Sequence, residues 1–205
     1  GHTALKFAPH VREVTATDLT AKMLEAAENY IIEQGVTNIV FEPADAENLP
    51  FENETFDLVT CRIAPHHFPD CAGFVREGSR VLHSGGLLLV QDHLLPDNFA
   101  AARYVDSFER LRDPSHHRAY SYSEWIAMFT QAGLQVEYTE EVIKRHSFIP
   151  WAERQGCSPE IIRELTLMLI DAPPKAAEWL SGEDVNSPDA SFTNHHILIS
   201  GRKLP

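Results

Sequence analysis

Basic charge is what this chain has least of. Against 30 Asp and Glu it sets 17 Lys and Arg, a formal net charge of −13 over 205 residues. A surface of that sign repels phosphate backbones and anionic headgroups, and no basic run offsets it, so neither nucleic acid nor a membrane is expected as a partner. Cysteine is scarce too. Cys61, Cys71 and Cys157 are odd in number and widely spaced, forming neither a disulfide framework nor a Cys-x-x-Cys knuckle, which implies a reducing, cytoplasmic setting. No apolar run nears the ~20 residues that span a bilayer, nothing reads as a signal peptide, and no repeat or low-complexity tract is present. Histidine is plentiful, at 11, yet adjacent pairs cannot both face one ion from a strand, and no His-x-x-x-H or Cys/His spacing supports a metal site. No metal is expected.

What is present is a soluble globular composition, 43% hydrophobic and 23% charged, long enough for one domain with a sizeable core. Two strand-like runs each end in an aspartate: Arg12–Thr17 before Asp18, and Ile39–Ala44 before Asp45. Between them Thr20–Gly35 carries Met23, Leu24, Ala27, Ile31 and Ile32 at helical spacing. That is a strand–helix–strand unit, whose parallel strands present ligand groups at their carboxyl ends. A carboxylate there can accept two ribose hydroxyls, and a second acidic tip can meet the amino edge of adenine. The pattern suits a nucleoside.

Further strands are expected at Phe56–Arg62 and Leu87–Val90, the latter running on to Asp92, with a helix over Ala72–Leu82 and a sharp turn at His83–Gly86. Three strand–helix alternations in about ninety residues indicate an α/β fold: an open, mostly parallel, doubly wound (Rossmann-like) sheet with an antiparallel last strand. Later segments predict helices over Asn98–Arg112 and Glu124–Ala132, the second capped by Ser123. A strand is expected over Gln135–Lys144, a helix over Pro159–Leu180 interrupted at Pro173-Pro174, and a final strand over His195–Arg202. Residues 93–122 and 145–185 are expected to be helical cover insertions of a single 1–205 domain. Tyr104, Phe108, Tyr120, Tyr122, Trp125 and Trp151 cluster in this region, most of them as core. The chain opens at Gly1 in what reads as the first turn of a helix, so an upstream strand and loop are expected to precede it.

Five segments in order carry a family resemblance. They are the helix start at Gly1, Asp18-Leu19-Thr20-x-x-Met23-Leu24, Asp45-Ala46-Glu47-x-Leu49-Pro50-Phe51, Phe56-Asp57-x-Val59 followed by His66-His67-Phe68, and Val81-Leu82-x-x-Gly85-Gly86-x-Leu88. Together they resemble the class I S-adenosylmethionine-dependent methyltransferases, in the branch similar to the ubiquinone/menaquinone biosynthesis C-methyltransferases. The run Leu111-Arg112-Asp113-Pro114-Ser115-His116 further resembles a bacterial subgroup. The match is dense over residues 1–92 and thin beyond, and Ser84 stands where the family usually has proline.

The resemblance implies S-adenosylmethionine as cofactor and a small-molecule methyl acceptor. Gly1 would close a Gly-rich loop against the methionine part, Asp18 would hold the ribose, and Leu19 and Met23 would flank the adenosine. Asp45 and the Ala46 amide would meet adenine. Arg62 and Ile63 would border the cofactor, with His66 and His67 bordering the acceptor, where a histidine can act as general base. His116, His117 and Arg118 are candidates for a polar or anionic acceptor, whereas His195-His196 at a strand start reads as structural. Sequence leaves open which atom is methylated and whether the chain is a homodimer.

Two rival readings remain. A nicotinamide-dependent oxidoreductase also uses an acid after its second strand. No tyrosine here is followed four places on by lysine, so the common short-chain Tyr-x-x-x-Lys arrangement is missing. A non-catalytic Rossmann-like interaction module would explain the absent glycines but not the Asp18 and Asp45 motifs.

Overall fold

Two strand–helix–strand crossovers build the first half of the protein. In this computed structural model, which describes all residues Gly1–Pro205, helix α1 (His2–Phe7) and a 3₁₀ turn (Ala8–His10) precede strand β1 (Val14–Asp18), helix α2 (Ala21–Glu33) and strand β2 (Ile39–Pro43). Strand β3 (Phe56–Arg62), helix α3 (Cys71–Val81) and strand β4 (Leu82–Leu95) follow. Leu24 and Ile31, two helical turns apart, are the buried stripe of α2, and Gly35 ends it at φ +70°. Asp70 caps α3, its carboxylate accepting the Gly73 amide at 2.8 Å.

The second half contains helix α4 (Phe99–Arg112), a two-residue strand β5 (Tyr120–Ser121), helix α5 (Tyr122–Gln131) and strand β6 (Leu134–Ser147). Helices α6 (Phe148–Glu153), α7 (Pro159–Ile170) and α8 (Pro174–Leu180) and strand β7 (Ser191–Lys203) complete it. β1 pairs β2 in parallel, and a second group runs β3-β4-β7-β6, with β5 alongside β4. β3, β4 and β5 are mutually parallel, whereas β7 is antiparallel to both β4 and β6. The fold is therefore mixed α/β with parallel crossovers and antiparallel final strands. No helix is long and apolar enough to cross a membrane.

Three local details differ from the sequence reading. The turn expected at His83–Gly86 is a bulge inside β4: the register with β3 moves from Phe56↔Leu82 to Leu58↔Leu87. Gly85 takes φ +81°, and a Cβ on Gly86 would lie 2.9 Å from the His83 carbonyl, so the paired glycines are sterically required there. Helix α5 starts two residues earlier than expected, because Ser121 and Glu124 form a reciprocal capping box. Helix α6 has no counterpart in the expectation: its six residues are too few to show a helical period, and Phe148 and Trp151 place it by packing.

Two separate cores hold these layers together. Under the sheet, Leu88, Val90, Ile197 and Ile199 meet Phe74 and Val75 of α3 and Trp125 and Phe129 of α5. Above it, α4, α6, α7 and α8 share a core of their own around Phe108, Phe148, Trp151, Leu165 and the β7 residue Phe192. Trp151 and Phe192 pack at 4.6 Å between centroids, and the Arg112 guanidinium sits 4.2 Å over Trp151. Each such side chain stabilises the fold by about 1.5–3 kcal/mol when fully buried.

The loop after β2 is fixed by one cation. Arg80 of α3 donates to the Leu49 and Phe51 carbonyls at 3.0 and 2.8 Å and to Asn53 at 2.9 Å, and it forks onto Glu77 at 2.8 Å through two nitrogens. Glu77 in turn accepts the Leu49 amide at 2.8 Å, and the Arg80 guanidinium holds its carboxyl below the usual range. Arg80→Ala should therefore loosen residues 45–53 and lower stability by about 2 kcal/mol, read as a shift in the urea midpoint. Arg80→Lys should recover little of it, since an ammonium cannot reproduce the fork.

Candidate functional site

The site is built where parallel strands end. Asp18 is the last residue of β1, and its Oδ1 accepts the Thr20 amide at 2.8 Å. Asp45 lies just beyond β2 and its Oδ1 accepts the Glu47 amide at 2.9 Å. Each carboxylate is thus oriented by a bond two residues on, while Oδ2 keeps no protein partner. Beside Asp18, Leu19 and Met23 leave 75% and 58% of their surface exposed, an apolar strip next to an acid. Ala46 is half-buried, and the loop carrying it is tied to the start of α3 by the Asp70 amide, which donates to Glu47 at 2.7 Å. Gly1 caps α1 against α2, where a Cβ would come within 3.1 Å of the Ala27 carbonyl. That demand is for close helix packing.

At the end of β3 the backbone is strained. Ile63 takes φ +51°, a left-handed conformation that a β-branched side chain disfavours by roughly 1–3 kcal/mol. Its amide nevertheless donates to the Gln91 carbonyl at 2.8 Å, and Arg62 reaches the Gln91 side chain at 3.1 Å. Strain held in place by neighbouring hydrogen bonds is the kind that functional sites retain.

That kink delivers His66 onto Asp92 of β4. Nδ1 and Oδ1 are 2.6 Å apart, with both side chains buried. A carboxylate only accepts, so Nδ1 carries the proton and Nε2 is left with its lone pair and no protein partner. Asp92 Oδ2 is buried without a partner as well. The His66 carbonyl accepts the amides of His117 and Arg118 at 2.8 and 3.0 Å. His67 donates from Nδ1 to the Ser115 carbonyl at 2.9 Å, again leaving Nε2 as the acceptor nitrogen.

Around His66 the fold gathers four more imidazoles. His67, His93 and His116 lie 4.1, 4.6 and 5.2 Å from it between ring centroids, and His196 lies 4.9 Å from His93. Burial lowers the pKa of His93 well below its ordinary 6.5 and that of His196 to about 4. Burial also raises Glu109. It opposes ionisation of Asp106, but bonds from His116 at 2.8 Å and from the Ala119 amide hold that carboxyl below its usual range. No group of three His, Cys, Asp or Glu side chains is arranged to hold a metal ion.

The structure thus assembles His66 and His67 in one cluster, next to the kink at Arg62 and Ile63, and sets Asp18, Leu19, Met23, Asp45 and Ala46 at strand ends. His116 is turned inward to Asp106 instead of facing an acceptor, and Arg118 pairs with Glu124 and covers Tyr120. His195 packs on Trp179 at 3.9 Å, while its neighbour His196 enters the cluster, so the pair is divided between two faces. Sequence reasoning missed Asp92, His93, Asp106, Glu109 and His196 as site residues. The one available signal was Asp92-His93 at the end of the most hydrophobic strand.

Comparison with known proteins bears on the family and the fold. A family model described as "Methyltransferase domain" matches residues 1–90. The uncharacterized methyltransferase YcgJ of Bacillus subtilis (strain 168) is 37% identical over 204 residues, covering 99% of this chain and 81% of its own. Its crystal structure superposes with a TM-score of 0.95 at 36% identity, over 100% of this chain and 88% of that one. The 27-O-demethylrifamycin SV methyltransferase of Amycolatopsis mediterranei (strain S699) is 34% identical over 176 residues, 80% of this chain and 62% of its own. The ubiquinone/menaquinone biosynthesis C-methyltransferase UbiE of Pseudomonas fluorescens (strain SBW25) is 33% identical over 112 residues, 53% of this chain and 44% of its own.

His93 and His196, both held neutral by burial, make stability depend on pH in a definite direction. In the unfolded chain they bind protons near pH 6.5, whereas in the folded protein His196 resists protonation down to about 4. Stability from keeping His196 neutral is therefore complete above pH 6.5 and is lost as pH falls toward 4. Asp106, held low, adds a loss only at still lower pH, whereas Glu109, pushed up by burial, works in the opposite sense. Urea unfolding at pH 7.5 and 4.5 should show a loss on the order of 2–3 kcal/mol from His196 alone. His196→Asn should flatten the profile by a similar amount.

Proposed function

The chain belongs to the class I S-adenosylmethionine-dependent methyltransferases, and we propose that it methylates a small molecule whose reacting group must lose a proton to His66. The observation that carries this reading is the buried His66–Asp92 pair beside the kinked end of β3. Asp92 fixes the ring and its tautomer and stabilises the imidazolium once it forms, so Nε2 is the atom that takes the acceptor's proton. His67, held by Ser115, is assigned to shaping the acceptor side.

The residues at the strand ends fit an adenosine. Asp18 and Asp45 each present an unpartnered oxygen that can accept from hydroxyls or an exocyclic amine, and Leu19 and Met23 offer apolar surface to a planar base. The Ala46 amide can meet a ring nitrogen, and Gly1, Arg62 and Ile63 are assigned to the amino-acid end. When bound, the cofactor supplies a methyl group already activated on a sulfonium. What is asked of the protein is alignment, exclusion of water and, for a protonated acceptor, a base. A nicotinamide reading gains nothing from the site, because no tyrosine–lysine pair stands at these positions and the apolar strip beside Asp18 serves either base equally.

Calorimetric titration tests the cofactor residues directly. S-adenosylmethionine and S-adenosylhomocysteine should bind in the micromolar range, with NADH and NADPH giving no heat. Asp18→Ala should weaken binding about 10–100-fold, the worth of hydrogen bonds to a charged group, and Asp45→Ala less. Unchanged affinity in Asp18→Ala would remove that residue from the site.

A further inference from the structure

Strand β6 forms the open edge of the β3-β4-β7-β6 group. It runs for 14 residues and pairs only with β7, and no other strand or loop bonds to the backbone groups along its outer side. Unpaired amides and carbonyls in a row template another strand, so such edges are ordinarily short, covered or broken by proline. β6 contains neither proline nor glycine, and its one bulge, between Val136 and Tyr138, leaves Tyr138–Ser147 regular. Tyr138 and Ile143 leave 49% and 59% of their surface exposed on it. Alternation along the strand puts Tyr138, Glu140, Val142, Lys144 and His146 on one face and Glu141, Ile143 and Arg145 on the other. On the second face the charges are used within the chain: Glu141 holds His195 at 2.5 Å and Arg145 holds Glu183 at 2.8 Å. On the first they are not. Glu140 and Lys144 join no ion pair, Glu140 bonding only the Tyr138 hydroxyl, and His146 Nε2 is buried without a partner.

We propose that β6 pairs antiparallel with β6 of a second copy of this chain, about a two-fold axis through Val142, giving a dimer whose sheet continues across the interface. An axis normal to the sheet keeps each face on its own side, so residues equally far before and after Val142 stand opposite each other. Glu140 then faces Lys144 of the partner subunit, twice by symmetry, and Tyr138 faces His146 of the partner subunit. The two Val142 side chains meet at the axis, and on the other face each exposed Ile143 lies diagonal to its own copy, within reach across the axis. Centring the pairing on Ile143 instead would set Lys144 against Val142 and leave it without an acid. Each copy carries a net charge of −13, which opposes association, so only a local match can select a second copy. β6 supplies that match because its acids, Glu137, Glu140 and Glu141, precede Val142 and its bases, Lys144 and Arg145, follow it, an order that an antiparallel copy reverses. Charges that on most edges block pairing here specify one partner in one register. No residue assigned to the methyl-transfer site lies on β6, so this pairing does not depend on that assignment.

Sedimentation equilibrium of the chain at about 0.15 M salt, where screening confines the net repulsion to about 8 Å, should give twice the chain mass of 23.1 kDa in the micromolar range. Glu140→Lys and Lys144→Glu, each at an exposed position, should each weaken the dimer at least ~10-fold, because like charges then stand opposite on both sides of the axis. The double variant Glu140→Lys, Lys144→Glu should recover the dimer. An equimolar mixture of the two single variants should recover it as well, since each presents the charges the other lacks, and unfolded variants could not do so. A monomer throughout the micromolar range, a dimer indifferent to both reversals, or single variants that stay monomeric when mixed overturns the proposal.

Discussion

One buried hydrogen bond joins the parts of this protein that have to meet. His66 lies in the turn after β3, Asp92 lies near the end of β4, and the 2.6 Å contact between them fixes the mouth of the crossover. The same residue then takes two backbone amides, those of His117 and Arg118, and so anchors the chain that returns from α4. Losing either partner would strand the other in the interior, a penalty on the order of 1–3 kcal/mol or more for an unpaired buried polar group. The bond thus couples the orientation of the His66 ring to the placement of the segment above it, so the ring cannot drift while the fold holds.

A common device recurs at the three aspartates of the site. Asp18, Asp45 and Asp92 each commit Oδ1 to a local bond, to the amides of Thr20 and Glu47 and to the ring of His66. Oδ2 stays without a protein partner in each, even in Asp92 where it is fully buried. Orienting an acid with one oxygen and presenting the other suits ligand recognition, because the side chain's rotamer freedom is spent during folding and not at binding. It also explains an acid-rich chain whose site nevertheless holds its carboxylates in fixed directions.

The parallel crossovers and the two strand-end aspartates were legible in the sequence, because apolar spacing in Leu24–Ile31 and in the strand from Leu87 is local information. The Ser121–Glu124 capping box was legible in principle, since its four-residue pattern is local, and it was passed over for Ser123. The histidine cluster was not. His66, His93, His116 and His196 come from four elements far apart in sequence, and no period in the chain links them; only the register that sets His93 opposite His196 does so. Helix α6 is another tertiary product, existing because Phe148 and Trp151 fill a core with Phe192. The bulge in β4 was half legible: the glycines were seen, but pairing with β3, which makes the difference between a turn and a bulge, is a non-local property.

The two cores meet at one residue. Between them, beside His93, lies a chamber of about 10 Å³, room for a water at most. Helices α4, α6, α7 and α8 share a core that is separate from the one under the sheet. Displacing them would break contacts among Phe108, Trp151 and Phe192 at their junction with β7 but leave Leu88, Val90, Ile197 and Ile199 packed. Trp179 is the residue common to both, packing against each core, lining the chamber beside His93 and stacked on His195. His195 is itself held by Glu141 and by the Trp179 carbonyl at 2.9 Å. Trp179 therefore ties the helical core to the core under the sheet, and its position is set by a histidine outside the cluster around His66.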